Sequence, residues 1–293
     1  MLGYSPGEFE PSYESWKNMV HPDDIEYAEK ALLGYLEGEI PEYIVEFRMK
    51  NKSGGWTWIQ SRGKISRRDE SGNPLKIIGS HIDITEHKKL EEMNKNEIIV
   101  KEVHHRVKNN LQVIASLLNM QSRNFDDEKV KAAFKDSQNR VKSMSLAHEK
   151  LYGSENLASI EISDYIKSLV NYIFQTYDTG GGKIRIHISS DTAYLSMDTI
   201  VPLALILNEI ITNSLKHAFP DEREGTISVD FRLKDDECLL QVSDDGVGIA
   251  GDFDIESSKS LGLRVVNMLI QQLQGTIERY DSNGTDYVIR FKK

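Results

Sequence analysis

Hydrophobic and polar positions alternate in three segments of the first third of the chain. Residues 43–49 (Tyr-Ile-Val-Glu-Phe-Arg-Met) read as a half-buried strand, 56–65 as a second and 75–84 as a third. The turn chemistry of Asn51-Lys-Ser-Gly-Gly and Asp69-Glu-Ser-Gly-Asn-Pro separates them, so the three form an antiparallel meander. The segment before them reads as helical. There His21-Pro-Asp-Asp marks a helix start, since proline suits the first turn and acids suit the positive end of the dipole. Trp56 and Trp58 flank Thr57 and share one sheet face, where core packing is the expectation.

The period then changes. Between Pro74 and Gly153 the only glycine or proline is Gly79, and residues 86–152 are charged and helical. Val103, Val107, Leu111, Ile114 and Leu118 step by three and four along one helix face. After a break near Asn124-Phe-Asp-Asp, a second stripe runs through Val130, Phe134, Ser137, Val141, Met144, His148 and Leu151. Two such helices form a hairpin with a seam suited to a four-helix dimer core. From 159 onward the pattern is α/β. Helices are expected over 164–177, 197–219 and 260–273, with strands over 183–189, 226–233, 237–243, 275–281 and 285–291.

The chain's 293 residues suffice for about two domains. Lys plus Arg is 36 against 46 for Asp plus Glu, a formal charge of −10. That argues against nucleic acid or an anionic membrane as partner, while leaving room for a local phosphate grip. The single cysteine, Cys238, excludes a disulfide framework and a multi-cysteine metal cluster, which fits a reducing cytoplasm. The longest apolar run, 201–207, is far short of the ~20 residues of a membrane helix, and residues 1–10 lack a signal peptide's basic start and apolar centre.

The sharpest local feature is Lys101-Glu-Val-His-His-Arg-Val-Lys-Asn-Asn-Leu-Gln. On a helical wheel His104 lies ~60° from the centre of the apolar stripe and His105 ~160° away, on the solvent face. A neutral imidazole exposed on a rigid helix can act as a nucleophile. Arg106, Lys108, Asn109 and Asn110 around it can counter phosphate charge, or simply form a solvated polar face.

Three further pieces lie in the last part. In Asn208-Glu-Ile-Ile-Thr-Asn-Ser-Leu-Lys-His-Ala, residues Glu209, Asn213 and Lys216 share a side of the helix. An asparagine carbonyl suits Mg²⁺, and Lys216 and His217 can reach phosphates, although a plain polar face fits the segment too. Asp244-Asp-Gly-Val-Gly after a strand allows close backbone approach to a flat ligand and gives Asp244 as acceptor for an exocyclic amine; alone, Gly-x-Gly is often a turn. Lys259-Ser-Leu-Gly-Leu-Arg is a loop entering a helix, an attractor of phosphate or an ordinary helix start. No Gly-x-x-x-x-Gly-Lys-Ser/Thr occurs, so a P-loop is excluded.

The run from Glu102 through His105-Arg-Val-Lys-Asn-Asn to Leu118 resembles the dimerisation and phosphoacceptor segment of two-component sensor histidine kinases. The likeness is to the subfamily with an H-R-x-K-N box related to the HWE kinases. It implies His105 as phosphoacceptor. Arg106 stands where commoner families carry an acid, so Glu102 becomes a candidate base. The three pieces of the last part, in this order, resemble the ATPase domain shared by histidine kinases, gyrase-type ATPases and related chaperones. That likeness implies Asn213 as magnesium ligand, Asp244 as adenine reader, and Gly246, Gly248, Gly262 and Leu263 flanking the nucleotide. It also makes Gly284-Thr285 a closing pair and Glu209 a second candidate base. Residues 252–259 would form a short lid, and the second glycine box holds one glycine, Gly262, where many kinases have more.

Residues 2–6, His21-Pro-Asp-Asp, Gly54-Gly-Trp-Thr-Trp and Asp83-Ile-Thr resemble the later part of a PAS sensor domain. Its first two strands are absent, so a fragment or trimmed chain is expected. The fold expectation is therefore α+β and multidomain. Residues 1–87 would be a partial PAS domain, 88–156 a two-helix dimerisation hairpin and 157–293 an α/β sandwich ATPase domain. The resemblance implies a cytoplasmic sensor histidine kinase using ATP and Mg²⁺, homodimeric through the hairpin and passing phosphate to the receiver domain of a response regulator. The competing readings are a non-catalytic PAS and ATP-binding scaffold, or an ATPase or serine kinase with the same ATP-binding domain.

Overall fold

The computed structural model describes residues 1–5, 7–8, 12–152, 159–177, 183–249, 260–281 and 283–293. The chain divides into two compact units, 1–98 and 99–293.

In the first unit, helices α1 (Tyr13–Met19) and α2 (Ile25–Leu36) precede strands β1 (Tyr43–Lys50), β2 (Trp56–Arg68) and β3 (Pro74–Asp83). The strands pair antiparallel in the order β1-β2-β3, the expected meander. Tyr43, Val45, Phe47 and Met49 point inward from β1. The register sets Phe47 against Ile59 and Met49 against Thr57, so β2 turns Thr57, Ile59 and Ser61 to the core. The period of two then places Trp56 and Trp58 on the opposite face. This corrects the expectation of a core role for them. Trp56 is exposed with His21 against its ring edge, and Arg48 and Lys88 lie over Trp58, each 5.5 Å from the ring centroid.

The helix start expected at His21-Pro-Asp-Asp is found there. These residues form a turn, and α2 begins at Ile25. Asp24 stands at the N-cap without capping, because Arg48 takes its carboxylate. The Arg48 Nε, Nη2 and backbone N donate to it at 2.9, 2.7 and 2.9 Å. That arrangement holds the Asp24 carboxyl below the usual aspartate range.

Helix α3 (Thr85–Ser122) and helix α4 (Glu128–Tyr152) form the hairpin. The buried face of α3 is rotated from the expected stripe. Ala115 is buried and His104, Val107, Leu111 and Leu118 are half-buried, while Val103 and Ile114 are exposed. On α4, Asn139, Ser143, Ala147 and Leu151 recur every fourth residue and are buried. The expected stripe on α4 is half-buried apart from Leu151. The reason is that the small polar side of α4 packs on the helices that follow, while of the stripe His148 meets His104 of α3.

Those helices are α5 (Ile162–Tyr177), α6 (Met197–Asn213) and α7 (Leu261–Gln272). The sheet beneath them runs β5-β7-β8-β10-β9, from β5 (Ile184–Ser190), β7 (Gly225–Lys234), β8 (Glu237–Asp244), β9 (Thr276–Tyr280) and β10 (Thr285–Lys292). β5 and β7 pair parallel and the other pairs are antiparallel. A two-stranded ladder of β4 (Ile160–Glu161) and β6 (Tyr194–Leu195), unexpected from the pattern, ties the start of α5 to that of α6. The core lies between one sheet face and the helices: Val229, Phe231, Leu240, Val242, Ile289 and Phe291 meet Leu169, Leu207, Ile211 and Val266. The α+β multidomain architecture of the sequence reading holds.

Candidate functional site

The buried face of β8 reads Cys238, Leu240, Val242, Asp244, so the inward alternation ends on a carboxylate. β10 does the same in reverse from Thr285, which pairs with Asp244 across the ladder. Polar groups are thus delivered to the rim of an apolar core by strand period alone. Asp244 is 8% exposed. Its Oδ2 accepts from Ser214 Oγ at 2.7 Å, and its Oδ1 from the backbone N–H groups of Gly246 and Thr285 at 3.1 and 3.2 Å.

The opposite wall comes from the end of α6. One helix was expected over 197–219; the structure changes to a π-helical turn over Ser214–Ala218. The widened turn re-aims consecutive side chains, a common device at functional sites. Ser214 reaches Asp244, His217 faces the cleft, and Lys216 goes elsewhere.

Two glycines set the gap between the walls. A Cβ on Gly246 would lie 2.4 Å from the Ala218 carbonyl oxygen and 2.5 Å from the Ala218 Cβ, and Val247 N donates to that same oxygen at 2.9 Å. Gly284 has φ +120°, and a Cβ there would overlap the Asp244 carbonyl oxygen.

The result is a cleft of about 410 Å³ lined by Asn213, Ser214, His217, Ala218, Asp244, Gly248, Ile249, Ser260, Leu263, Thr285 and Tyr287. Burial pushes the Tyr287 phenol above the usual tyrosine range. Of the residues named from sequence, the cleft gathers Asn213, His217, Asp244, Gly248, Leu263 and Thr285. Gly246 stands behind its wall. The 252–259 lid lies outside the described residues. Ser214, Ser260 and Tyr287 were missed. The signal for Tyr287 was the β10 alternation two residues past Thr285.

Glu209 and Lys216 do not line the cleft. Arg140 of α4 clasps Glu209 through two bonds, Nε to Oε1 at 2.5 Å and Nη2 to Oε2 at 2.9 Å. Lys216 Nζ donates to Asp136 of α4 at 2.6 Å and sits over the Tyr177 ring. Gly262, at the start of α7, presses on Glu209: a Cβ there would lie 2.4 Å from Oε2.

On the hairpin, His105 is exposed. Asn109 Nδ2 approaches its Nδ1 at 3.4 Å and the Tyr152 ring lies 5.8 Å away between centroids. Glu102, the other candidate base, instead accepts from Arg106 Nε at 2.7 Å. His104 lies inward, with its Nδ1 3.0 Å from Nδ1 of His148. Burial, followed by the neighbouring His104, lowers the His148 pKa.

A metal at the cleft would meet Asn213, hydroxyl groups, His217 and an Asp244 whose oxygens already accept hydrogen bonds, rather than a cage. Among the described residues no group of three His, Cys, Asp or Glu side chains could hold an ion. That sparse donor set fits Mg²⁺, which keeps waters and phosphate oxygens as most of its ligands.

Three family models match the chain: a PAS fold over 1–81, a histidine kinase model over 102–177, and the histidine kinase-, DNA gyrase B- and HSP90-like ATPase over 198–293. Among curated relatives, sensor histidine kinase PdtaS of Mycobacterium tuberculosis is 32% identical over 231 residues, covering 74% of this chain and 45% of that protein. Blue-light-activated histidine kinase 2 of Erythrobacter litoralis is 28% identical over 243 residues, covering 80% and 67%. The chain therefore spans about half the length of PdtaS. Among solved structures, the histidine kinase domain of the Erythrobacter litoralis EL346 blue-light activated histidine kinase superposes with a TM-score of 0.51 at 27% identity. The match covers 66% of this chain and 92% of that one.

Proposed function

Since the chain belongs to the sensor histidine kinase family, we propose that it transfers the γ-phosphoryl group of ATP to His105 and then to an aspartate on the receiver domain of a response regulator. The observation that carries this reading is the cleft itself. It brings together an acceptor carboxylate, Asp244, an amide, Asn213, and apolar surface from Ile249 and Leu263. Asp244 reads the adenine amine, with Ser214 and two backbone N–H groups holding its carboxylate in place. Leu263 and Tyr287 offer apolar surface to the base, and His217 serves the phosphate end. Asn213 would hold Mg²⁺, and the ion would supply charge neutralisation at the phosphates.

At His105, Asn109 stands against Nδ1, and Nε2 has no hydrogen-bond partner among the described residues. Nε2 is the attacking atom in the tautomer that carries its proton on Nδ1, which the Asn109 amide supports once its Oδ1, in place of Nδ2, is turned to the ring. Its lone pair forms the N–P bond as the bond from the γ-phosphorus to the bridging oxygen breaks. ADP leaves with that electron pair, and the ring's remaining proton passes to water. Glu102 keeps Arg106 neutralised beside the incoming phosphate.

We place the functional borders near residues 87 and 156, with the PAS domain as input. The exposed apolar residues Val103, Val113, Ile114, Leu117 and Met120 on α3 support a homodimer through the hairpin. No helix among the described residues is long and apolar enough to cross a membrane; a cytoplasmic site of action is part of the proposal.

Incubation with γ-labelled ATP and Mg²⁺ tests it, comparing wild type with His105→Ala, His104→Ala and Asp244→Asn. An acid-labile, base-stable label that persists in His104→Ala and vanishes in His105→Ala is expected. Asp244→Asn should weaken nucleotide binding by about 10–100-fold, the worth of one hydrogen bond to a charged group. Nucleotide binding with no label on any variant would favour the scaffold reading.

A further inference from the structure

Arg140 and Asp136 stand one turn apart on α4 and grip Glu209 and Lys216, two residues that the sequence assigned to nucleotide chemistry. The two grips differ in what lies beyond them. Lys216 ends on Asp136 and the Tyr177 ring. Glu209 is 6% exposed and is trapped between Arg140 and the backbone of Gly262 in the first turn of α7. The residues on either side of that turn, Ser260 and Leu263, line the nucleotide cleft, and Leu263 N donates to Ser260 Oγ.

A buried carboxylate needs its partner, and a bidentate guanidinium fixes both its oxygens in one plane. Without Arg140, Glu209 would be left with one long bond, from Asn208 Nδ2 to Oε1 at 3.4 Å, and its side chain would turn to find water or another donor. Gly262 has no side chain to absorb such a movement, so the carboxylate acts directly on the α7 backbone.

We propose that Arg140, on the hairpin, is a positioning residue of the nucleotide site: by clasping Glu209 against Gly262 it sets the first turn of α7 and thereby Ser260 and Leu263 on the cleft wall. Glu209 is then a strut between hairpin and cleft, not a general base. This rests on the cleft being the nucleotide site. It also gives a contiguous route by which the hairpin's arrangement alters ATP affinity.

The test titrates the full chain with trinitrophenyl-ATP and Mg²⁺, and follows His105 labelling against ATP concentration. Arg140→Ala should raise the nucleotide Kd and the KM for ATP about tenfold, with the labelling rate at saturating ATP falling less than about threefold, as expected when a supporting shell loosens. Arg140→Lys, which keeps the charge but loses the fork, should fall between. Tyr172→Phe removes another α4 docking bond, Tyr172 Oη to Asn139 Oδ1, and should leave the Kd within about twofold. Gly262→Ala should reproduce the tenfold loss in wild type and add less than about twofold to Arg140→Ala, since both act on one carboxylate. A wild-type Kd in a folded Arg140→Ala, or in Arg140→Lys and Gly262→Ala should Arg140→Ala not fold, overturns the inference alone. A Tyr172→Phe loss equal to that of Arg140→Ala reduces Arg140 to docking and overturns it too. A wild-type chain that binds no probe overturns the nucleotide reading of the cleft and the inference with it.

Discussion

Replacing Gly246 by alanine tests whether the two cleft walls meet through their backbones. The added methyl would sit 2.4 Å from the Ala218 carbonyl oxygen, 2.5 Å from its Cβ and 2.8 Å from its carbonyl carbon. None of these atoms is the end of a flexible side chain, so the strand exit and the π-turn must separate. Overpacking of that kind costs about 1–3 kcal/mol. Separation also breaks the 2.9 Å bond from Val247 N to Ala218 O, worth about 0.5–1.5 kcal/mol. The reduced freedom of the unfolded chain returns about 0.4–1 kcal/mol. The net loss is about 2–3 kcal/mol. For a unit of this size that lowers the melting temperature by about 5–10 °C. Thermal and urea unfolding by circular dichroism measures the loss, with an unchanged urea slope expected. Because Ala218 and Gly248 both line the cleft, nucleotide affinity should fall with stability. Adding Ala218→Gly removes the Cβ overlap and leaves the carbonyl overlap, so rescue should be partial. A Gly246→Ala protein that melts within about 1 °C of wild type, or one fully rescued by Ala218→Gly, refutes the backbone-contact argument.

Two other groups give predictions that do not depend on the kinase reading. The His148 ring is held neutral by burial and by His104 opposite it. Its folded pKa is below the unfolded one, so the unfolded chain takes up the proton first as pH falls through ~6.5 and stability drops with it. His148→Gln should flatten this slope between about pH 7.5 and 5.5 in urea melts; parallel pH curves for the two proteins would rule the mechanism out. Cys238 is fully buried and its thiol is pushed up to about 11 by burial. It should resist an aromatic disulfide reagent in the folded protein and react on unfolding in urea; rapid stoichiometric reaction of the native chain would contradict its burial.

What was legible in the sequence, and what was not, divides by the range of the interaction. Strand period and turn chemistry are local, so β1 to β3 emerged within a few residues of their bounds, and Asp244 with Thr285 fell on the right strand ends. Phase is not local. Which face of β2 turns inward depends on pairing Phe47 with Ile59, and so Trp56 and Trp58 were assigned to the core although they lie outside it. The hairpin shows the same limit more strongly. A search for apolar stripes finds Val130, Phe134, Val141 and Met144 on α4 and passes over Asn139, Ser143 and Ala147, which are buried because small side chains let α4 approach the helices of the ATPase unit. Those contacts run through polar partners: Tyr165 Oη donates to Ser143 O, Tyr172 Oη to Asn139, Tyr177 Oη to Asp136. Hydrophobicity carries no trace of such pairs, and neither does spacing, since Arg140 and Glu209 are 69 residues apart. Glu209 was therefore visible as a carboxylate in a promising motif while its partner was not. An acid whose two oxygens are already taken by a guanidinium is a strut before it is a base. The π-turn at Ser214–Ala218 follows from the same cause. Lys216 and Ser214, two residues apart, reach Asp136 and Asp244 on different elements, and the turn is the backbone geometry in which both bonds form.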